Sequence, residues 1–462
     1  MPDIPAWRIL AARVRRPSLT GRITLAIAVG ALAATYLAST GALAAEGQAR
    51  HSGTSPQDTS LNGVGSSAGP LRTVTVSTQK QLVAAVAAAS PGTTISLNRG
   101  TYDGGLLIRT SGTRLHPIVM KPAGNGPVTL TAHLPMPSCN ASSPDPNRTV
   151  RLTNGASYWT LRGLTVNGGI YISGDNVLKA HLWFASRIDS GNWQARRAVP
   201  GRGTDSPAAG RNAIPYLARQ TGARLRPADG IRIVHDVITR KGIQVSMGRY
   251  GTIQNTRITN IACGTGPGIW FGTYSDGWTI SGNAVSRVAN STRAHYMQEG
   301  IRIDGASDYN LIEHNVVFNL PGDGRAITTD QDASYNTITH NRARQVSVGF
   351  NDEMSGWGNS WTYNTVTGYR AVGFAFRMMD NRLRQPSMDT STISATVRCN
   401  SASGTGDDLQ MGASRQSHFT SNAFRTIALG KYLRLYWNGQ GNTWNGSHRP
   451  PSPRGPGNLK GC

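Results

Sequence analysis

Acidic residues recur at similar intervals in the second half of this 462-residue chain and could form a reactive cluster. Asp304 and Asp330 each follow a short segment with apolar residues at alternate positions, and Glu353 follows a third such segment. If these segments stack as neighbouring strands, their carboxylates stand about 4.8 Å apart from one strand to the next. Like charges at that spacing raise the pKa of a carboxyl group unless a cation or a base lies among them.

Three interpretations of this acidic column stay open. The carboxylates could bind Ca²⁺, which prefers several carboxylate and carbonyl oxygens as ligands. One carboxylic acid and one carboxylate, Asp304 and Asp330, could instead cleave a glycosidic bond by hydrolysis. In the third interpretation the column is a solvated ladder whose charge is compensated by Arg302, Arg325 and Arg377.

The elements that would position these residues follow from a short phrase, in which an apolar residue and one or two polar residues precede an Asn. The phrase ends at Asn283, Asn315, Asn341, Asn364, Asn400 and Asn422, with intervals of 32, 26, 23, 36 and 22 residues. A unit of about 22–24 residues, with loops inserted into some copies, accounts for these intervals. Short β-rich units without helical periodicity predict an all-β solenoid, a right-handed parallel β-helix with one coil per repeat. We expect the Asn residues to form a ladder of stacked amides at one turn.

Counting back from each Asn aligns the strands, and alternate residues of a strand face opposite sides. The predicted core column is Ile243, Ile269, Ile301, Ile327, Phe350 and Phe374. The predicted outward face, which we call the wall, carries Gln244, Ser246, Trp270, Arg302, Asp304, Thr328, Asp330, Asn351, Glu353, Arg377 and Gln410. We expect the wall to bind an extended polymer, with Trp270, Arg377, Gln244 and the nearby Lys241 as substrate-binding residues.

The chain divides into segments of different composition. Arginines, an apolar stretch and a small-residue cleavage pattern predict a signal peptide over residues 1–44 and export from the cell. Residues 45–72 read as a flexible linker, 73–445 as the β-helix and 446–462 as an irregular tail. The repeat pattern breaks at about residues 187–228, an Arg-rich insertion that is either a basic arm over the wall or a solvated loop.

Charge and cysteine content narrow the class of partner. The 47 Lys and Arg against 24 Asp and Glu give a net charge of +23, which favours polyanions. No nucleic-acid motif is present, so we expect no nucleic-acid partner. We also expect a monomer without stable membrane insertion after signal cleavage. An even number of cysteines, four, permits two disulfides in an exported protein, and a bridge from Cys399 to Cys462 would fix the tail.

Residues 79–102 begin with a predicted short capping helix and continue into strands. This stretch resembles the N-terminal cap of secreted right-handed parallel β-helix proteins, most of all the alginate lyase and chondroitinase B family of polysaccharide lyases. The resemblance implies Ca²⁺ bound through Asn and Glu, and a Lys and an Arg as catalytic base and acid. Glu299 falls near a family ligand position, and Arg325 near the catalytic Arg. No Lys follows Glu299 at the family position, and Lys241 lies two coils away.

These observations together predict an enzyme that degrades an acidic, uronate-containing polysaccharide by β-elimination. Arg302 and Arg325 are the predicted proton-transfer residues. Asp304 and Asp330 complete the predicted catalytic set, and Glu299 and Glu353 are the predicted Ca²⁺ ligands. A glycoside hydrolase that uses Asp304 and Asp330, and a non-catalytic basic binder of anionic polymers, are the alternatives.

Overall fold

The computed structural model describes residues 71–124, 126–132, 148–189, 213–261, 266–289, 298–353, 356–377, 392–455, 458–459 and 461–462. They belong to one compact unit, Ser66–Cys462. The predicted signal peptide and all but the end of the predicted linker lie outside the described residues, as do Cys139, Cys263 and residues 190–212 of the insertion.

Three long parallel sheets form the body of the described chain. Sheet 1 contains Arg72–Val76, Thr93–Leu97, Ile118–Pro122, Trp159–Arg162, Arg232–Val234, Thr252–Gln254, Thr279–Ser281, Leu311–Glu313, Thr337–Thr339, Ser360–Thr362, Thr396–Arg398, His418–Thr420 and Thr443–Trp444. Sheet 2 contains Leu106–Ile108, Val150–Leu152, Ile170–Ser173, Ile243–Ser246, Ile269–Gly272, Glu299–Ile303, Arg325–Thr329, Val348–Asp352, Val372–Phe376, Asp407–Met411 and Ile427–Leu429. Sheet 3 contains Gly100–Asp103, Val128–Thr131, Thr165–Asn167, Val237–Arg240, Arg257–Ile261, Ala284–Val288, Val316–Phe318, Arg342–Arg344, Thr365–Thr367 and Ser401–Ser403.

The three sheets have 13, 11 and 10 strands, so most coils contribute one strand to each sheet, and each strand pairs in parallel with the strand of the next coil. This arrangement confirms the predicted parallel β-helix. Two further short pairs lie outside the long sheets, namely Ala228–Asp229 with Gly248–Arg249 and Thr392–Ile393 with Ser414–Arg415.

Helices occur at the ends and in the insertion. Helix α1, Gln79–Ala87, starts at a capping box in which the Thr78 hydroxyl accepts from the Gln81 amide, as the sequence predicts. Its buried Leu82 and Val86 belong to the same core as the strands, so α1 covers the first coils. The others are α2, Val177–Asp189; α3, Ala213–Thr221; α4, Lys431–Tyr436; and a 3₁₀ turn, Asn438–Gln440.

The predicted Asn ladder is present at the turn between sheets 1 and 3. The backbone N–H and the side-chain Nδ2 of Asn283 both donate to Asn315 Oδ1, at 3.0 and 2.9 Å. Asn315 donates in the same way to Asn341, and the pattern continues to Asn422. Each amide also donates to a buried carbonyl, such as Asn315 Nδ2 to Ile280 O at 2.9 Å. The ladder therefore satisfies turn groups that would otherwise be buried without a partner.

The interior is a continuous stack of apolar residues. Ile243, Ile269, Ile301 and Ile327 pair in one column, which Phe350 and Phe374 extend. The two phenyl rings are stacked with centroids 4.8 Å apart. The predicted core column is therefore confirmed, and the other side of sheet 2 is free to form the wall.

Helix α2 ends at the start of the predicted insertion, about residues 187–228, and helix α3 lies within it. Phe184 of α2 and Leu217 of α3 share a small apolar cluster with Met247, Tyr274 and Ala306. These last three residues come shortly after strands of sheet 2, so the helices pack against the corner at that edge of the wall.

The C-terminal segment runs back along the coils. Cys399 and Cys462 form a disulfide with their Cα atoms 5.2 Å apart. Short antiparallel bridges join Ala423 to Leu459 and Thr426 to Arg454. Among the described residues, no helix combines the length and the apolar character required to cross a membrane.

Asn315→Ala should lower the free energy of unfolding by about 3 kcal/mol, because it leaves the Asn283 amide and the Ile280 carbonyl buried without partners. Urea titration followed by circular dichroism measures the loss. The exposed Asn438 has no side-chain hydrogen bond, so Asn438→Ala is the control and should change stability little. Equal stability of the two variants would show that the ladder contributes nothing.

Candidate active site

The strand register places the predicted acidic residues on one face of sheet 2. Trp270 pairs with Arg302, Arg302 with Thr328, and Thr328 with Asn351. Asp304, Asp330 and Glu353 each follow the paired strand end, and the backbone N–H of each donates to the preceding coil. The predicted column is therefore formed, one residue per coil.

A local irregularity brings Glu299 onto the same face. A Cβ atom at Gly300 would come within 2.4 Å of the core residue Val317, and the next side chain, Ile301, is also in the core. Because two successive residues face inward, the alternation is interrupted and both Glu299 and Arg302 face the wall.

Arg302 lies at the centre of the cluster and contacts three carboxylates. Its Nη1 donates to Glu299 at 2.9 Å, its Nε to Asp304 at 2.6 Å, and its Nη2 to Asp330. Arg302 is only 5% exposed, so these charges are separated from water and interact strongly.

A second ion pair lies nearer the solvent. Arg325 Nη1 donates to both carboxylate oxygens of Glu353, at 2.9 and 2.8 Å. Arg325 also approaches Glu299 at 3.8 Å, and Glu353 approaches Arg302 at 3.9 Å, so the two ion pairs form one network. Arg377 joins it by donating from Nη1 to the Glu353 carbonyl at 3.1 Å.

Trp270 borders the network on the side of the preceding coil. Its indole Nε1–H donates to Asp304 at 3.0 Å, and its ring is partly exposed. Gly272 follows on the same strand, and a Cβ atom there would lie 2.9 Å from Asp304 Oδ1. A side chain at position 272 would therefore disturb the Asp304 carboxylate.

Burial raises the pKa of two of the carboxyl groups, so they hold their protons to higher pH than ordinary Glu and Asp. Burial raises the pKa of Glu299 to about 7, although Arg302 and Arg325 favour its charged form. Burial likewise raises the pKa of Asp330 to about 6 against the attraction of Arg302. Both groups can therefore exchange protons near neutral pH.

Arg302 itself stays charged. Burial alone would lower its pKa, but the carboxylates of Asp330, Glu299 and Asp304 raise it well above the ordinary value. A guanidinium held in this way does not accept a proton from substrate. The geometry therefore supports electrostatic stabilisation by Arg302 and not the proton transfer that the sequence analysis predicts for it.

Several polar atoms beside the network are buried and have no partner. The side-chain oxygen and nitrogen of Asn351 both lack hydrogen bonds, and Asn351 is 1% exposed. Thr328 Oγ1, in the same column, and Glu299 Oε2 share this property. Unpaired buried polar groups are rare, and at an active site they mark positions where a ligand or water binds. Asn351 and Thr328 are on the predicted outward face, but the sequence analysis assigned them no role.

Lys241 and Gln244 lie apart from the network. Lys241 is 1% exposed, so its ammonium does not reach the surface of the wall. Gln244 precedes Trp270 in the same column, and its Oε1 accepts from Arg148 Nη2 at 3.4 Å. Their predicted substrate-binding roles gain no support from these positions.

Helix α2 supplies a residue that the sequence analysis missed. His181 of α2 lies with Nδ1 3.2 Å from the Thr273 hydroxyl, and Thr273 directly follows the Trp270 strand. An imidazole therefore stands at the edge of the wall. Only the packing of the helices on the β-helix brings it there, and no repeat or motif marks it.

Asp352 is a further group that the sequence did not reveal, because it faces the interior side of the strand that leads to Glu353. Asn359 Nδ2 donates to its Oδ2 at 3.3 Å, and Asn359 belongs to a second ladder that includes Asn310 and Asn336. Burial raises the pKa of Asp352 to about 7, although the hydrogen bond from Asn359 favours the charged form.

The carboxylates of the wall fit guanidinium groups better than Ca²⁺. Glu299, Asp304 and Asp330 turn toward Arg302, and both oxygens of Glu353 accept from Arg325. Within the part of the chain that the structure describes, no three acidic, His or Cys side chains are grouped to hold a metal. Calcium therefore enters no step of the chemistry below.

Comparison with solved structures finds proteins of the same fold. Pectate lyase Pel9A is 15% identical and aligns over 84% of this chain and 88% of its own, with a TM-score of 0.50. An alginate lyase from Paenibacillus sp. str. FPU-7 is 17% identical over 74% and 97% of the two chains, with a TM-score of 0.36. A GH136 lacto-N-biosidase from Eubacterium ramulus is 12% identical over 78% and 66%, with a TM-score of 0.43.

The likeness to Pel9A confirms the predicted resemblance to parallel β-helix proteins at the level of the fold. No protein-family model and no curated protein matches the sequence. The chemistry must therefore be argued from the wall itself.

Asp352→Asn should become more stable relative to the wild type as the pH rises from about 4 to about 7. The folded wild type keeps a proton on Asp352 that the unfolded chain releases, because its folded-state pKa lies well above the ordinary value. The free energy of unfolding of the wild type therefore falls as the pH rises from about 4 to about 7. The amide of Asp352→Asn does not titrate, so the variant lacks the share of this fall that comes from Asp352. Urea titrations at several pH values measure it, with exposed Asp323→Asn as control. A difference in stability between Asp352→Asn and the wild type that does not change with pH would contradict the raised pKa of Asp352.

Proposed function

We propose that this protein is a secreted enzyme that degrades an acidic polysaccharide, with β-elimination as the reaction. The observation that carries the proposal is the network of Arg302 and Arg325 with four carboxylates on the wall of a parallel β-helix. Two of these carboxyl groups, Glu299 and Asp330, have pKa values raised to about 7 and about 6. A scaffold shared with a pectate lyase supports the same class of reaction.

Substrate would bind on the side of the network that is partly exposed to solvent, at Arg325 and Glu353. Arg325 and Arg377 flank Glu353 there, and both can pair with the carboxylate of a uronate residue. Trp270 offers a partly exposed ring on which a sugar can pack. The unpaired amide of Asn351 lies in the same column but is buried, so it is not assigned a contact with the sugar.

In β-elimination a base removes the proton at C5 of the uronate, the C4–O bond breaks, and the leaving oxygen takes up a proton. Pairing with arginine draws negative charge from the sugar carboxylate and makes the C5 proton more acidic. Asp330 can hold or release a proton near neutral pH, so it is the proposed proton-transfer group. Glu299 is fully buried and shares the guanidinium of Arg302 with Asp330, so it does not meet the substrate itself. Arg302 stays charged beneath them and stabilises the anionic form of the cluster.

A glycoside hydrolase is the second candidate, and one observation favours it. Asp304 accepts from Nε and Asp330 from Nη2 of the same guanidinium, and burial raises the pKa of Asp330. A protonated acid and a carboxylate on one face are the pair that hydrolysis of a glycosidic bond requires. A binder of anionic polymers without catalysis is the third candidate.

Secretion is part of the proposal. Residues 1–44 have the composition of a signal peptide, and the bridge between Cys399 and Cys462 is typical of oxidising compartments. We propose that the exported protein acts as a monomer.

Purified protein without residues 1–44 should raise the ultraviolet absorbance of one polymer in a panel of alginate, pectate, glucuronan, chondroitin and heparin. Elimination creates a C4=C5 double bond that absorbs, whereas hydrolysis releases reducing ends without it. Parallel assays with Ca²⁺ and with a chelator test the calcium expectation separately. Reducing ends without absorbance would favour the hydrolase, and no change in either signal would leave the binder.

Asp330→Asn should lower kcat/KM roughly 100-fold or more if Asp330 moves a proton in the reaction. The amide preserves the shape of the side chain but cannot exchange a proton with substrate. Exposed Asp323→Asn is the matched control and should keep wild-type activity. Thermal unfolding of both variants separates lost chemistry from lost folding. Full activity in a folded Asp330→Asn protein would exclude Asp330 from proton transfer.

A further inference from the structure

The last seven strands of sheet 3 contain arginines and no acidic residue. From Val237–Arg240 to Ser401–Ser403 these strands contain Arg240, Arg257, Arg287, Arg342 and Arg344, but no Asp or Glu. The wall on sheet 2 is the opposite case, since its arginines are matched by carboxylates. The strongly positive chain therefore presents unbalanced charge on a different face from the candidate active site.

The arginines at the centre of sheet 3 are available to a ligand. Arg342 and Arg344 are exposed, and in the described part of the chain neither lies within ion-pair distance of a carboxylate. The Arg344 guanidinium lies 4.7 Å from the centre of the Phe318 ring in the preceding coil. This cation–π contact holds the charge against the sheet surface without neutralising it.

A cavity lies beside these two residues. It has a volume of about 540 Å³ and is lined by Val316, Arg342, Ala343, Arg344, Thr365 and Thr367. The register explains this lining, because Val316, Arg342 and Thr365 are neighbours in one column across three coils. The hydroxyls of Thr365 and Thr367 add hydrogen-bonding groups next to the guanidinium groups.

The chemical groups on this surface indicate which kind of ligand it fits. Two guanidinium groups offer paired donors to carboxylate or sulfate oxygens, and threonine hydroxyls offer partners to sugar hydroxyls. Strands of neighbouring coils repeat about every 4.8 Å, so ligand groups on successive strands suit an extended chain. Exposed Arg257 lies three coils from Arg342 in the same column, with Ala284 and Val316 between them, and adds a further positive charge to this face.

We propose that sheet 3 is a second, non-catalytic binding face for an acidic polysaccharide, centred on Arg342 and Arg344. The choice of polymer rests on the proposed function, whereas the existence of the face rests on the charge and the cavity alone. The face holds a long chain on the enzyme while another part of that chain lies on the wall. This arrangement raises the effective concentration of substrate at the site.

The test compares two double variants of the protein without residues 1–44. Arg342→Gln/Arg344→Gln removes the charges from sheet 3. Arg162→Gln/Arg232→Gln removes two exposed arginines from adjacent coils of sheet 1 and is the matched control. Alginate, pectate and heparin, each as long chains and as short oligosaccharides, are titrated at low and high salt, as are a DNA duplex and anionic phospholipid vesicles. Cleavage is assayed in parallel.

The sheet 3 variant should bind long chains roughly tenfold more weakly at low salt, and the difference should shrink at high salt. Its kcat on short oligosaccharides should equal the wild-type value, because the wall is unchanged. The control variant should bind as the wild type does. Thermal unfolding confirms folding, and the single variant Arg342→Gln serves if the double variant is unstable.

Equal polymer affinity of the two double variants would overturn the proposal. A loss restricted to a DNA duplex or to anionic phospholipid vesicles would also overturn it, since the face would then serve a different partner. If no variant and no wild-type protein cleaves any polymer, the proposed function fails while the binding comparison still decides the fate of sheet 3.

Discussion

The structure depends on the requirement that every coil be paired by the coils on both sides of it. A strand of three to five residues cannot satisfy its own backbone groups, so each coil is stable only in register with its neighbours. The Asn ladders enforce that register, because each side-chain oxygen accepts from two donors of the preceding coil. Apolar columns in the interior then follow, and so does the alignment of polar residues on the wall.

This register concentrates charge in a way that an isolated strand could not. Glu299 begins one strand, Asp304 directly follows that strand and Asp330 follows the strand of the next coil, and their repulsion is balanced by Arg302 between them. Burial strengthens the attraction but also makes each added charge costly, which is why two carboxyl groups keep protons near neutral pH. The same burial fixes Arg302 as a permanent cation. Proton exchange and charge stabilisation are thus divided between neighbouring side chains.

Sheets 2 and 3 of the β-helix differ in their balance of charge. Sheet 2 holds a nearly balanced set of acids and arginines, whereas the last seven strands of sheet 3 carry only positive charge. The proposed proton-transfer group lies on the wall and not on sheet 3. Helix α2 adds His181 at the edge of the wall, so the helical segment contributes to the surroundings of the site.

The coil, the register and the acidic column can be read directly from the chain's pattern of residues. These features repeat at a fixed interval and alternate along each strand, so local pattern is sufficient to find them. The contacts within the column follow from packing that the pattern does not show. The pairing of Glu299 with Arg302 depends on two successive inward residues, and His181 depends on how a helix packs. The pKa values of Asp330, Asp352 and Glu299 depend on burial, which is set by contacts distant in sequence that no local pattern encodes.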